Sequence, residues 1–321
     1  MKRKVNLVGN STLTVSLPSQ FIKNNDINKG DELDIELDGN KIIYSIGNNQ
    51  QEDKEITINL DNQSLYSLFR YLTIIYRMNY KKVILTFSKP ELLYERGKIP
   101  LFSPSVRTQS TINFIIQRFV GAEIISQTAN KVVIEFFIAD GQIDFDKIEK
   151  RIFFLIKETL NDLFQATEKE FKLFYDTIHD RQDNIIKFIN YYLRELNFAN
   201  WGDHKKKMIW SSMIFLEQIV RKIRYLSENI NKFGCTSKVK NYIKESFDLV
   251  SKQVDLIYNT KDIHKIKEMS NNLREKIEKD QFNKKEAYVI SELDFFINCH
   301  RVFIELGILN ELESNENKSM N

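Results

Sequence analysis

Cationic clusters, spaced carboxylates and a few nucleophile-type residues are the parts of this 321-residue chain with chemistry in them. Lys2, Arg3 and Lys4 open the chain, and Lys205, Lys206 and Lys207 form a second basic run. Such side chains neutralise anionic partners, nucleic-acid phosphates among them. The plainer alternatives are a solvated chain start and a solvated helix start. Carboxylates recur at four-residue spacing, Glu158 with Asp162 and Asp176 with Asp180, and residues so spaced share one helix face. The histidines, at 179, 204, 264 and 300, are scattered, and Cys299 directly precedes His300. Neighbours on a helix point about 100° apart, the wrong geometry for a thiol–imidazole pair. Cys235 and Cys299 supply neither a disulfide framework nor metal-finger spacing. With no glycine-rich phosphate loop and no cluster of catalytic residue types, the chain is expected not to be an enzyme.

Composition sets the frame for these groups. The 42% apolar and 28% charged fractions are those of a soluble globular protein, and the length allows two or three domains. A net charge of +3 is too small to mark a polyanion-coated protein, so nucleic-acid binding has to be argued locally. Residues 1–50 carry six Lys/Arg and six Asp/Glu, so a cationic face there requires segregation, with acids gathered in Asp31–Asp38. Lys2–Lys4 is followed by Asn6, Gly9, Asn10, Ser11 and Thr12 rather than by the apolar core of a leader. No apolar run approaches the roughly 18 residues of a membrane span. The expectation is a cytoplasmic protein with reduced thiols.

The elements that must position these groups follow from periodicity and punctuation. Leu13, Val15 and Leu17 alternate with Thr12, Thr14 and Ser16 as a half-buried strand does, and Pro18 suits the first position of a short helix carrying Phe21 and Ile22 inward. Asn28–Asp31 ends that helix. Leu33, Ile35 and Leu37 alternate with acids, and Asp38-Gly39-Asn40 predicts a hairpin back through Ile42, Tyr44 and Ile46. Four short strands and one helical turn are too small a core to stand alone, and oligomerisation is the usual remedy.

After a polar joint at Gly47–Asp53, a β-α-β-α-β-β order is predicted. It comprises the strand of Ile56, Ile58 and Leu60, the helix of Leu65, Leu68, Phe69, Leu72, Ile75 and Met78, and the strand Lys82–Phe87. A loop over Ser88–Pro104 follows, then the helix of Ile112, Ile115, Ile116 and Phe119 ended by Gly121, and a hairpin around Thr128-Ala129-Asn130. All four prolines lie before residue 105, and from Gln142 to Leu306 the only glycines are Gly202 and Gly234, which predicts an all-helical remainder. There Phe171, Ile178, Ile185 and Tyr192, with Tyr175, Gln182, Ile189 and Leu196, make a seven-residue repeat that suits a bundle. Further helices are predicted at Ser237–Asn259, Asp262–Phe282 and Asn283–Leu312. Ile243-Lys244-Glu245-Ser246 echoes Ile156-Lys157-Glu158-Thr159, the mark of two successive three-helix units.

The opening phrase, STLTVSLP followed eleven residues later by KGDELDIELDGN, resembles the AbrB/SpoVT family, whose subunits interlock as a swapped-hairpin dimer that binds DNA. Joined to INFIIQRFVGAEIISQT, RQDNIIKFINYYLREL and FLEQIVRKIRYLSENI, it resembles the archaeal phosphate uptake regulators, which fuse an AbrB-like part to a PhoU-like one. The resemblance implies an α+β multidomain chain. Residues 1–47 would be a swapped-hairpin β-barrel, 48–143 a small α/β connector and 144–312 an all-α PhoU-like region of tandem three-helix bundles, while the polar composition of 313–321 predicts a disordered tail. It implies a homodimer that controls phosphate transport by binding DNA, by contacting a transporter or signalling protein, or both; the other reading is a dimeric adaptor that binds no DNA. The residues it assigns to DNA are Lys2, Arg3, Lys4, Asn10, Ser11, Thr12 and Lys23. PhoU-like bundles also resemble metal-holding proteins, which would make Glu158, Asp162, Asp176, Asp180, Asp183 and Glu217 ligands of a metal ion. That pattern is broken where Arg221 follows Glu217 and Asn298 follows Asp294, so ordinary solvated helix charges stand beside it as the alternative.

Overall fold

In the computed structural model the described residues are 2–38, 41–46, 54–89, 107–138, 143–167, 171–199, 201–257 and 260–319. The turn at Gly39-Asn40, the joint at Gly47–Asp53 and most of the loop expected at Ser88–Pro104 lie outside them. The chain divides into two compact units, Met1–Asp53 and Lys54–Asn321.

The first unit holds β1 (Val5–Val8), β2 (Thr12–Val15), α1 (Ser19–Asn24), β3 (Leu33–Asp38) and β4 (Lys41–Ile46). β1 and β2 pair antiparallel from Val5↔Val15 to Val8↔Thr12, turning at Gly9, whose φ of +66° suits a residue without a Cβ. β3 and β4 pair antiparallel from Leu33↔Ile46 to Asp38↔Lys41. The two hairpins are separate two-stranded sheets. Pro18 does not open the helix; it stands before it in extended geometry, ψ 131°, and its carbonyl accepts from the Ile22 amide.

The second unit begins with β5 (Glu55–Asn59), α2 (Leu65–Arg77), β6 (Lys82–Thr86), α3 (Thr108–Ile116), β7 (Ala122–Gln127) and β8 (Lys131–Phe136). β5 and β6 are parallel with α2 as the crossover, and the sheet order is β5-β6-β8-β7. Ser64 starts α2 by accepting from the Ser67 amide at 3.1 Å. Leu68, Leu72 and Ile75 meet Val83, Leu85, Ile112, Ile115, Val132 and Ile134 in one core. Met78, expected on the apolar face, is 51% exposed, because the helix ends at Arg77; the last turn instead turns Tyr76 and Arg77 inward.

Seven helices follow among the described residues: α4 (Phe145–Ala166), α5 (Phe171–Glu195), α6 (Asp203–Phe233), α7 (Ser237–Asp255), α8 (Ile263–Lys279), α9 (Lys284–Asn298) and α10 (His300–Ser319). Asp144 caps α4, Thr236 caps α7, and Asn283 with Glu286 forms a reciprocal capping box on α9. Along the predicted heptad, Ile178, Ile185, Tyr192, Gln182, Ile189 and Leu196 are buried, while Phe171 and Tyr175 are half-buried where α5 starts. A single core runs from α4 to α10, with α4 packed on α7 and α6 on α9 and α10. The single helix expected over Asn283–Leu312 is two helices broken at Cys299, and the second continues past Leu312 to Ser319, into the stretch expected as a tail.

The α/β layer and the helices, which the sequence divides near residue 143, lie in the same compact unit. Arg194, the largest fully buried side chain, donates to the Tyr76 and Tyr80 carbonyls at 2.9 and 3.1 Å and lies over the Tyr76 and Phe136 rings. Asn197 donates to the Arg77 carbonyl at 2.8 Å. A guanidinium held this way satisfies carbonyls that the α2 terminus leaves open.

Candidate nucleic-acid interface

Hairpin register decides which side chains share a face. In the β1–β2 pair, Val5, Leu7, Leu13 and Val15 lie on one face, and Asn6, Val8, Thr12 and Thr14 on the other. The apolar four are 59%, 64%, 68% and 51% exposed, and Ile35 and Ile42 of the second hairpin are as open. Among the residues before Gly47 whose burial is described, none is buried. A strand pair with one continuous apolar face and no core of its own lacks the partner surface that would make it stable.

The predicted DNA-contact residues are all exposed. Lys2, Arg3 and Lys4 run into β1, Asn10 and Ser11 form the turn, and Thr12 opens β2 beside Val8. Lys23 sits in the last turn of α1, at the other end of the β2–α1 step. The acids of Asp31–Asp38 lie on and before β3, in the second hairpin. Lys2, Arg3 and Lys4 lead into the first hairpin, while the second carries these acids together with Lys41, the cross-strand partner of Asp38.

The carboxylates assigned to a metal are not gathered. Among the described residues no group of three or more His, Cys, Asp or Glu is placed to hold a metal ion. Glu158, Asp176 and Asp180 are exposed. Asp162 is paired with Arg181 at 2.6 Å and Asp183 with Arg118 at 2.6 Å. Glu217 is buried, and it faces Arg77 at 2.9 Å and Arg221 one turn on. Burial opposes ionisation of Glu217, but Arg77 and Arg221 outweigh it and hold its carboxyl below the ordinary range. Arg221 therefore serves as the carboxylate's counter-ion. Asn298 holds Asp294 through its own amide, 2.8 Å to Oδ1, and accepts from Arg274.

Arg77 was not legible as a site residue, yet it is the centre of this polar seam. Its Nε and Nη2 donate to Asn190 Oδ1 at 2.9 and 2.6 Å, and Nη2 also reaches Glu217. The available signal was an arginine ending an apolar helix face, a position that usually snorkels to water. Cys299 donates to Gln253 Oε1 at 2.8 Å inside the core, while His300 lies beside Lys267. Thiol and imidazole do not pair, and burial raises the thiol far above its ordinary value. Lys205, in the first turn of α6, covers the Trp201 ring at 4.1 Å.

Compared with known families, residues 7–51 match the one described as Antidote-toxin recognition MazE, bacterial antitoxin. The match covers the hairpin module and none of the second unit. No curated protein and no solved structure matches the chain.

Proposed function

We propose that the chain is a non-enzymatic, homodimeric DNA-binding regulator whose hairpin module closes a barrel with a second copy of itself. The observation that carries this is the exposed apolar face of Val5, Leu7, Leu13 and Val15, in a module where no residue of described burial is buried. A second copy presents the complementary surface by symmetry and doubles the basic set Lys2, Arg3, Lys4 and Lys23 across a two-fold axis, which suits a pseudo-palindromic site. The match of residues 7–51 to a MazE-type module supports the same reading. The lysines and arginines would neutralise phosphates; Asn10, Ser11 and Thr12, at the hairpin tip, would reach base edges or phosphates. The finer resemblance to AbrB–PhoU phosphate uptake regulators makes phosphate-transport genes the natural targets, and the helices a PhoU-like docking surface for a transporter or signalling protein.

The test is a gel shift of the purified chain on its own upstream DNA, with the Lys2, Arg3 and Lys4 triple alanine as control. Binding should fall steeply with salt, and every DNA phosphate that the variant leaves unneutralised should lower the salt slope by about 0.9. A wild-type response flat between low and moderate salt would sink the reading. The matched family's description names toxin recognition, which favours a second reading, a dimeric adaptor that docks a protein. It predicts an intact dimer that shifts no DNA of any sequence.

A further inference from the structure

Where α2 and the end of α3 meet α5 and α6, the second unit forms a cavity of about 320 Å³ that opens to solvent, within the usual range for small-molecule sites. Arg70 and Arg77 of α2, Arg118 just beyond α3, and Arg221 and Arg224 of α6 line it, with Gln182 of α5. Among the described lining residues only Glu217 is a carboxylate. Asp183 on Arg118 and Glu228 on Arg224 add two more behind the wall, and Asp180 lies near His179. The five arginines still outnumber the four carboxylates. The surplus is felt inside the seam: Arg70 and Arg221 both press on Arg77 as like charges. His179, also on the wall, is held below its ordinary pKa by burial and then by Arg224 and Arg118, so it adds no compensating group.

The guanidinium groups are held in place and incompletely used. Arg118 lies over the Phe69 ring at 4.7 Å, Arg224 over Tyr225 at 4.8 Å and Arg70 over Tyr66 at 4.9 Å. Stacking of this kind fixes the plane of the donor fork before any ligand arrives. The Nε–H groups of Arg118, Arg221 and Arg224 have no hydrogen-bond partner, and neither has Oε1 of Gln182, which is 7% exposed. Glu228 stands 3.3 Å from the Arg224 nitrogen as a counter-charge without accepting that hydrogen. Buried donors left unused cost free energy that a bound acceptor recovers.

We propose that this cavity binds a small molecule bearing a phosphoryl group, gripped by Arg70, Arg118, Arg221 and Arg224. Several forked donors around one space favour a dianion with three terminal oxygens over a carboxylate with two. Tyr66, Phe69, Phe114 and Tyr225 line the same cavity beside these arginines. Inorganic phosphate and nucleotides both carry the required chemistry. Binding does not depend on the DNA-regulator reading; only the ligand's service as an effector rests on it.

Calorimetry on the full chain, at an ionic strength held constant with chloride, tests the site. Inorganic phosphate, AMP and ATP are titrated separately. At least one should give saturable heat at one site per chain. Saturation by phosphate assigns the free ion, and saturation by nucleotides alone assigns a phosphoryl group attached to a ring. Arg224→Gln and Arg70→Gln should each weaken binding about tenfold or more, as loss of a charged hydrogen bond does, while Lys238→Gln, in the first turn of α7, should not. Arg70 and Arg224 are only partly buried, so either variant carries the test if the other fails to fold by circular dichroism. Absence of saturable heat up to about 10 mM of all three ligands, or undiminished binding by both variants, overturns the proposal. No DNA is present in the cell, so that failure leaves the regulator reading untouched, and a failed gel shift leaves the site untouched.

Discussion

Arg77 and Glu217 are 4% and 6% exposed at their side chains, and neither charge is affordable there without the other. Removing one partner strands the second. Glu217→Ala should therefore lower unfolding free energy by about 3–5 kcal/mol, read as a drop in urea midpoint, and the double variant Arg77→Met, Glu217→Leu should recover most of that loss. A double variant no more stable than Glu217→Ala would show that the seam's hydrogen bonds to Asn190, and not the charge pair, hold the contact. Glu149 makes the opposite case. Burial first, and Asp146 next, raise its carboxyl from an ordinary 4.5 to about 7, with Lys150 and Lys205 opposing. The folded chain thus holds that proton more tightly than the unfolded one, so the residue's contribution to stability declines as pH rises from 4.5 to about 7 and then levels off. Compared with Glu149→Gln, the wild type should lose urea midpoint steadily between about pH 5 and pH 7.5. A wild-type-minus-variant difference that does not move with pH would place the titration elsewhere.

At the scale of elements, close approach decides what α10 can carry. A Cβ on Gly307 would collide with the Leu256 carbonyl and crowd Thr260, so α10 meets the end of α7 only because that position lacks a side chain. Gly307→Ala gains helix propensity but should still destabilise the chain by about 1–3 kcal/mol, the usual cost of overpacking, measured as a lower melting temperature; a higher one would mean that α10 can shift away without loss. This glycine shows where sequence is legible and where it is not. Periodicity exposes a face, so the alternation in β2, β3 and β4, the β-α-β-α-β-β order and the heptad of α5 could all be read from spacing. A break is less visible: nothing in the pattern around Cys299 forces α9 to stop, because Cys299 there simply turns its thiol to Gln253 in the core. Nor does spacing reveal partners across elements. Glu217 and Asp183 look like helix carboxylates in sequence, and only packing brings Arg77 and Arg118, 140 and 65 positions away, against them. Arg70 with Arg77, and Arg221 with Arg224, share faces of α2 and α6 by their spacing, which was the one available sign that cations converge there.

At the scale of the whole molecule, the two units meet folding from opposite sides. Lys54–Asn321 holds two closed cores, so a chain beginning at Lys54 should fold by itself. In Met1–Asp53 the β1–β2 apolar face is open to water, and burying it is worth about 25 cal/mol for each Å² covered, a gain that the proposed dimer would supply. The proposed pairing should therefore be broken by a charge placed on that face. Leu7 and Leu13 are direct cross-strand partners, so Leu7→Asp with Leu13→Asp sets two like charges opposite each other on the face that the second copy would cover. Sedimentation should turn from dimer to monomer, with the helical circular dichroism of Lys54–Asn321 unchanged. DNA affinity should fall with the dimer, since half of the basic set and the two-fold geometry go with it. A variant that stays dimeric would move the association surface onto the second unit, and the hairpin module would then have to be completed by something other than its own copy.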